Sequence, residues 1–128
     1  MTGRDLIDAP DAPAAIGPYS HAVRHGSLLY CSGMLPIDPA TGETLAVSVG
    51  AETEQCLRNL AAVCAAAGTE LANTVRATIY TTRLELFEEI NEAYAEFFAA
   101  SPPARAAVGV AALPKGVRVE IDAIVAVL

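Results

Sequence analysis

Arg105 and Glu120 stand fifteen residues apart in the closing runs ARAAVGVAA and VRVEIDAIVAVL, which otherwise have the apolar alternation of buried β-strands. Charged side chains in such runs need a partner or a task. A guanidinium offers a planar fork of donors that fits a carboxylate, and a carboxylate can hold a water and take its proton. The pair therefore points to a small acidic substrate attacked by water. The alternative is an interface ion pair, Arg105 to Glu120 itself, and spacing does not choose between the two.

Other polar residues stand where apolar ones are expected. Asn91 lies four residues after Phe87 and three before Tyr94, which places it in the apolar stripe of a helix, either as a core amide bonded to a loop or at the border of a polar cavity. Tyr19 follows Gly17-Pro18, where a phenol can orient a ligand. Cys31 sits beside Ser32-Gly33 at a strand end and reads as a small buried side chain, as do Cys56 and Cys64, eight apart on one helix face. Three cysteines without C-x-x-C spacing form neither a disulfide framework nor a zinc site. His21 and His25 have no carboxylate or nucleophile near them in sequence and read as structural rather than as general bases. No G-x-G-x-x-G, Walker, H-E-x-x-H or G-x-S-x-G motif occurs, which leaves chemistry without cofactor or metal.

The elements that must position these residues follow from periodicity. YSHAVRHGSLLYCSG reads as a hairpin turning near His25-Gly26-Ser27, and LPIDPATGET as an exposed loop rich in turn residues. Apolar residues recurring at three and four predict a helix over 51–67, closed by Gly68. A β-branched strand follows over 73–82, then a helix over 84–100 with a buried stripe of Leu84, Phe87, Ile90, Tyr94, Phe97 and Phe98, stopped by Ser101-Pro102-Pro103. Strands over 104–111 and 117–128 finish the chain. The order ββ, α, β, α, ββ predicts an α+β fold, a mixed β-sheet with two helices packed on one face. The other sheet face is then uncovered, and the last strand is apolar on both sides at its end, so a homo-oligomer is expected.

The chain has 128 residues, 53% of them apolar, which suits one domain over 1–128 with a real core. A net charge of −7 opposes nucleic acid and anionic membranes as partners. The opening MTGRDLIDAPDAP has neither a basic nor an apolar leader region, and no apolar run approaches the roughly 20 residues that span a bilayer, so a cytoplasmic location is expected.

Six segments in order, AIGPYSHAV, LLYCSGMLPIDPATGE, ETEQCLRNLAAVCAAAG, INEAYAEFF, PPARAAVGVAALPKG and VEIDAIV, resemble the reactive intermediate deaminases (RidA/YjgF, also called L-PSP endoribonucleases) over nearly the whole chain. The resemblance implies a chorismate-mutase-like fold, a homotrimer around a central β-barrel, and pockets between subunits. It also implies hydrolysis of 2-imino acids, released as enamines by pyridoxal-phosphate enzymes, to 2-keto acids and ammonia. Arg105 matches the arginine that grips the substrate carboxylate and Glu120 the glutamate that holds the attacking water. Tyr19, Ser32 and Asn91 match pocket positions, and Ala107 a main-chain contact. The chain departs from the family where P-A-R-S is usual, having Ala106 and Ala107, and where S-G-Q is usual, having Met34. These changes imply a more apolar pocket and a preference for small or apolar imino acids. A ribonuclease or translation inhibitor, and a trimer that binds small acids without turnover, are the competing functions.

Overall fold

The computed structural model describes residues 3–128. Met1 and Thr2, part of the segment read for a leader, lie outside the described residues. Six strands and two helices follow in chain order: β1 (Asp5–Ile7), β2 (Ala22–His25), β3 (Leu28–Met34), α1 (Val49–Ala66), β4 (Thr74–Thr81), α2 (Phe87–Phe98), β5 (Ala104–Gly109) and β6 (Val119–Ala126). They make one sheet of order β1-β2-β3-β6-β4-β5. Every neighbouring pair is antiparallel except β4 and β5, which run parallel because α2 carries the chain back between them. No described helix is long and apolar enough to cross a membrane.

The alternation in β6 decides which face is buried. Val119, Ile121, Ala123 and Val125 are sealed beneath the helices, while Glu120, Asp122, Ile124 and Ala126 face the open side. Cys56, Leu57, Leu60, Val63 and Cys64 of α1 pack on that buried face, as their helical spacing requires. Ser48 starts α1 by accepting the Ala51 amide at 3.1 Å. Gly68 ends it at φ +79°, with the Thr69 and Gly68 amides closing back on Cys64 and Ala65 carbonyls.

Two expectations need correction, and a strand pairing that the sequence left open is settled. A short edge strand, β1, precedes the hairpin; its three residues are too few for alternation to be visible in sequence. The second helix begins at Phe87 after a 3₁₀ turn over Leu84–Leu86, so Leu84 is 48% exposed rather than in the buried stripe. The last two strands are not neighbours, because β4 lies between β5 and β6. The bounds also tighten, to 49–66 for the first helix and 119–126 for the last strand.

Two polar groups in the core had no sequence reading. Glu52, 1% exposed in the first turn of α1, forms a two-pronged ion pair with Arg118 just before β6. Asn59, also 1% exposed, donates to the Leu35 and Ile37 carbonyls at 3.0 and 2.9 Å and so ties the loop after β3 to α1. The signal for both was present: each falls on the apolar stripe of α1, three or four residues from Cys56.

Candidate active site

A cleft lies at each of the two charged residues, Glu120 and Arg105. The first, about 390 Å³, is lined by Ile16, Tyr19, Ser32, Gly33, Leu35, Pro114 and Glu120. Glu120 enters it from the open face of β6, half-buried. Burial, and next the charge of Asp122, push its carboxyl up from the ordinary glutamate range. Among the described residues no cation pairs with it. The carboxylate lies where β3 loses its regular register between Cys31 and Met34, and a Cβ at Gly33 would come within 2.0 Å of Glu120 Oε2. The bulge and the missing side chain together admit the carboxylate.

The walls of this cleft are held by local bonds. Ser32 Oγ donates to the Ser20 carbonyl at 2.6 Å, and the Tyr19 hydroxyl accepts the Ile16 amide at 3.3 Å. His21 is a clamp. Its Nδ1 accepts the Ala9 amide at 2.9 Å and its Nε2 reaches the Pro13 carbonyl at 2.7 Å, which requires the neutral ring with the proton on Nε2. His25 Nδ1 hydrogen-bonds the Gly3 carbonyl. Both rings thus bond the backbone, and the Asp8 carboxylate lies 3.5 Å from His21 Nδ1, a neighbour that the sequence did not indicate. Met34, expected to make the pocket apolar, is 5% exposed and packs in the core. The apolar walls come from Ile16, Leu35 and Pro114 instead.

The second cleft, about 510 Å³, lies between α2 and the start of β5 and includes Asn91, Tyr94, Phe98, Pro103 and Arg105. Arg105 rests on α2: its guanidinium lies 5.2 Å from the Phe87 ring centre and 4.9 Å from that of Tyr94, and its Nη1 donates to Asn91 Oδ1 at 2.7 Å. Phe87, Asn91 and Tyr94 are four and three apart, one face of one helix, which fixes the fork in place. Asn91 is exposed, not the core amide that its place in the stripe allowed; the edge strand leaves this part of α2 uncovered. Among the described residues the buried Tyr94 hydroxyl has no hydrogen-bond partner, and burial pushes its phenol up while Arg105 pulls it down.

The strand register places the two charges on opposite sides of the sheet. Glu120 pairs with Tyr80 on the open face, whereas Arg105 pairs with Ala77, which is buried under the helices. Arg105 and Glu120 therefore cannot share a pocket within one chain, nor form an ion pair there, because a strand and a sheet face separate them. Ala107 lies on the same face as Arg105. Since the Val110 amide donates inward to Thr81 at 2.9 Å, alternation turns the Ala107 amide outward along the free edge of β5, next to Arg105. Ala106 faces the open side, half-buried.

Both clefts contain only oxygen, nitrogen and hydrocarbon groups, and no described group of three or more His, Cys, Asp or Glu could hold a metal. The thiols are all buried: burial holds Cys56 up, and the neighbouring Cys64 thiol holds Cys31 up. Neither is a nucleophile for either cleft.

A Gly33→Ala change is expected to leave the fold intact, since the displaced atoms are the end of a flexible side chain, yet to move the carboxylate. A shift of about 1 Å in a reacting group costs on the order of 100-fold in rate. Activity should drop by that order with little change in melting temperature; wild-type turnover would show that the position of Glu120 against β3 is unimportant.

A six-stranded mixed sheet under two helices, with a clefted carboxylate on one face and a helix-mounted arginine on the other, defines a small α+β protein. The chain belongs to the RidA/YjgF family: the family model described as Endoribonuclease L-PSP matches residues 9–127. It is 51% identical over 119 residues to RutC family protein y4sK of Sinorhizobium fredii, covering 93% of this chain and 94% of that one. It is 46% identical over 121 residues to the 2-iminobutanoate/2-iminopropanoate deaminase of Bos taurus, covering 94% and 88%. The crystal structure of RidA from Psychrobacter sp. PAMC 21119 superposes with a TM-score of 0.92 at 43% identity, covering 96% and 99%.

Proposed function

We propose that this chain is a hydrolytic deaminase of small 2-imino acids, working as a homotrimer in which Arg105 of one copy and Glu120 of another face a single pocket. The observation that carries this reading is the Glu120 cleft: a half-buried carboxylate with a raised proton affinity, apolar walls and, among the described residues, no cation paired with it. Such a group is poised to exchange a proton, and a carboxylate-binding arginine from outside the chain completes it. The deaminases among the relatives support the reaction class.

The chemistry balances with the residues at hand. The substrate is a protonated 2-imino acid, already electrophilic, whose carboxylate lies in the Arg105 fork with the Ala107 amide beside it. Glu120 takes a proton from water as the oxygen adds to the imine carbon, giving a carbinolamine, and returns that proton to nitrogen. The C–N bond then breaks, the hydroxyl proton passes by way of Glu120 to the departing ammonia, and the products are a 2-keto acid and ammonium, with Glu120 again ionised. Orientation of water and imine supplies much of the acceleration. Tyr19 and Ser32 shape the wall, and Asn91 keeps the fork oriented. Small or alkyl side chains suit the Ile16, Leu35 and Pro114 surfaces, and an acidic side chain would face Glu120. The nuclease reading is weaker, since both histidines are engaged with backbone and the net charge is −7.

The test is to generate imines in situ with an amino-acid oxidase across several side chains and follow keto-acid release. Glu120→Gln is expected to slow the enzyme-dependent rate by about 100-fold or more, the usual size of a lost general base, while a keto-acid product still binds. A carboxyl whose folded proton affinity is raised helps stability only below its unfolded pKa, and that help is lost as pH rises through the folded value. At neutral pH the ionised Glu120 is a cost, so the Gln variant should melt no earlier than wild type. Binding of product without any turnover by the wild type would instead identify a small-acid-binding protein.

A further inference from the structure

Glu120 shares the open face of the sheet with a second carboxylate that the hydrolysis above does not use. Asp122 is two residues along β6, so it leaves the same face about 7 Å further on at the rise of an antiparallel strand. Tyr80 of β4 stands opposite Glu120 in register, yet its hydroxyl reaches along the face and donates to Asp122 Oδ2 at 3.0 Å. One tyrosine thus neighbours the first carboxylate and anchors the second.

We propose that Asp122, held by the Tyr80 hydroxyl, is a positioning residue for Glu120: a fixed negative charge beside the carboxylate that activates water, making it a stronger base. The proposal rests on the reading that Glu120 handles the proton in imine hydrolysis. A like charge nearby disfavours ionisation, and a carboxylate works best as a base when its proton affinity approaches the working pH. The direction agrees, since Asp122 is the charge that adds to burial in raising Glu120, and burial with the Asp122 bond raises Tyr80, which keeps its proton and stays a donor.

Among the described residues, Asp122 is the charge that acts on Glu120, and Arg118, two residues before it, is held by Glu52 of α1. Thr78 and Arg76 follow Tyr80 on the same face of β4, and Arg76 makes no ion pair with Asp122 among the described residues. Ser32 and Gly33 of β3, and Tyr19 of the preceding loop, bring no charge. Lys115 follows Pro114 at the cleft wall, and Cys56 below the sheet is a buried thiol pushed up and uncharged. Arg105 of a second copy would act in the opposite sense, so that Asp122 keeps Glu120 basic when the guanidinium arrives.

The experiment is the pH dependence of kcat/KM for the assembled protein, each variant taken as a ratio to wild type so that the titration of the imine itself cancels. Asp122→Asn should move the acid limb to lower pH and lower the plateau; Tyr80→Phe should do the same to a smaller extent; Asp122→Glu should restore both. A merely structural Asp122 would change melting temperature and leave the limb in place. In parallel, the Glu120 carboxyl is titrated by carbon NMR in ligand-free wild type and Asp122→Asn, and its midpoint should fall in the variant. A midpoint and a limb that both stay put overturn the proposal. A midpoint that falls in a protein that hydrolyses no imine would keep the coupling and remove the deaminase reading instead.

Discussion

Chains carrying Arg105→Ala and chains carrying Glu120→Ala, each inactive alone, are expected to regain imine hydrolysis when unfolded and refolded together. The expectation follows from the register: Arg105 shares the buried face of Ala77, and Glu120 the open face of Tyr80. A pocket that uses both must draw them from different copies. Random mixing in equal amounts leaves about one interface in four with both residues intact, so recovery should approach a quarter of wild-type activity. Refolded single variants are the control, and native mass analysis confirms that mixed assemblies formed. Mixed assemblies with no more activity than the parents would sink the shared pocket. Arg105→Lys should rescue little on its own, because an ammonium cannot reproduce the fork held between Asn91 and the two rings of α2.

The largest expected loss of stability lies away from both clefts. Arg118→Ala would leave Glu52, 1% exposed, as an unpaired charge under the start of β6. Breaking a buried pair from one side costs about 3–5 kcal/mol, and replacing both partners with apolar or neutral groups is far milder. That corresponds to a fall in Tm on the order of 10–15 °C for a domain of this size. Denaturant titration of Arg118→Ala, and of Arg118→Met combined with Glu52→Gln, measures it; the double variant should recover most of the loss. The exposed pair Arg83–Glu85 is the comparison, where Glu85→Gln should leave stability almost unchanged. An Arg118→Ala protein as stable as the Glu85→Gln one would mean that water reaches Glu52.

Much of this was legible in the sequence because it depends on local pattern. The stripe of α1, the alternation of β6 and the hairpin at Gly26-Ser27 each follow from residue spacing, and so does the oddness of Arg105 and Glu120. The relation between those two residues was not legible. It depends on β4 entering between β5 and β6, a pairing of segments far apart in sequence that no local pattern encodes. Asn91 shows the same limit: its helical position was read correctly, but the helix face there meets an edge strand rather than a core. Met34 failed for a different reason, since the irregular register after Cys31 turns it toward the core, away from the cleft. Glu52 and Asn59 are marked by their spacing on the apolar stripe of α1, but their partners, Arg118 and the Leu35 and Ile37 carbonyls, lie far along the chain where no local pattern points.

The place of β6 in the sheet also governs how the chain is built over time. It is the last of the described strands in chain order, yet it lies in the middle, pairing with β3 on one side and β4 on the other. Before it emerges during synthesis, β3 and β4 have nothing to join them, and α1 has only half of its floor. Both inner edges then stand open with their backbone groups unpaired, the condition in which strands pair with the wrong chain. Folding from the N-terminus can complete the β1–β2–β3 meander and α1, but the sheet closes only once residues up to Ala126 are available. A ribosome stalled a dozen codons short would therefore present two unfinished half-sheets, and the final strand acts as the key that locks them together.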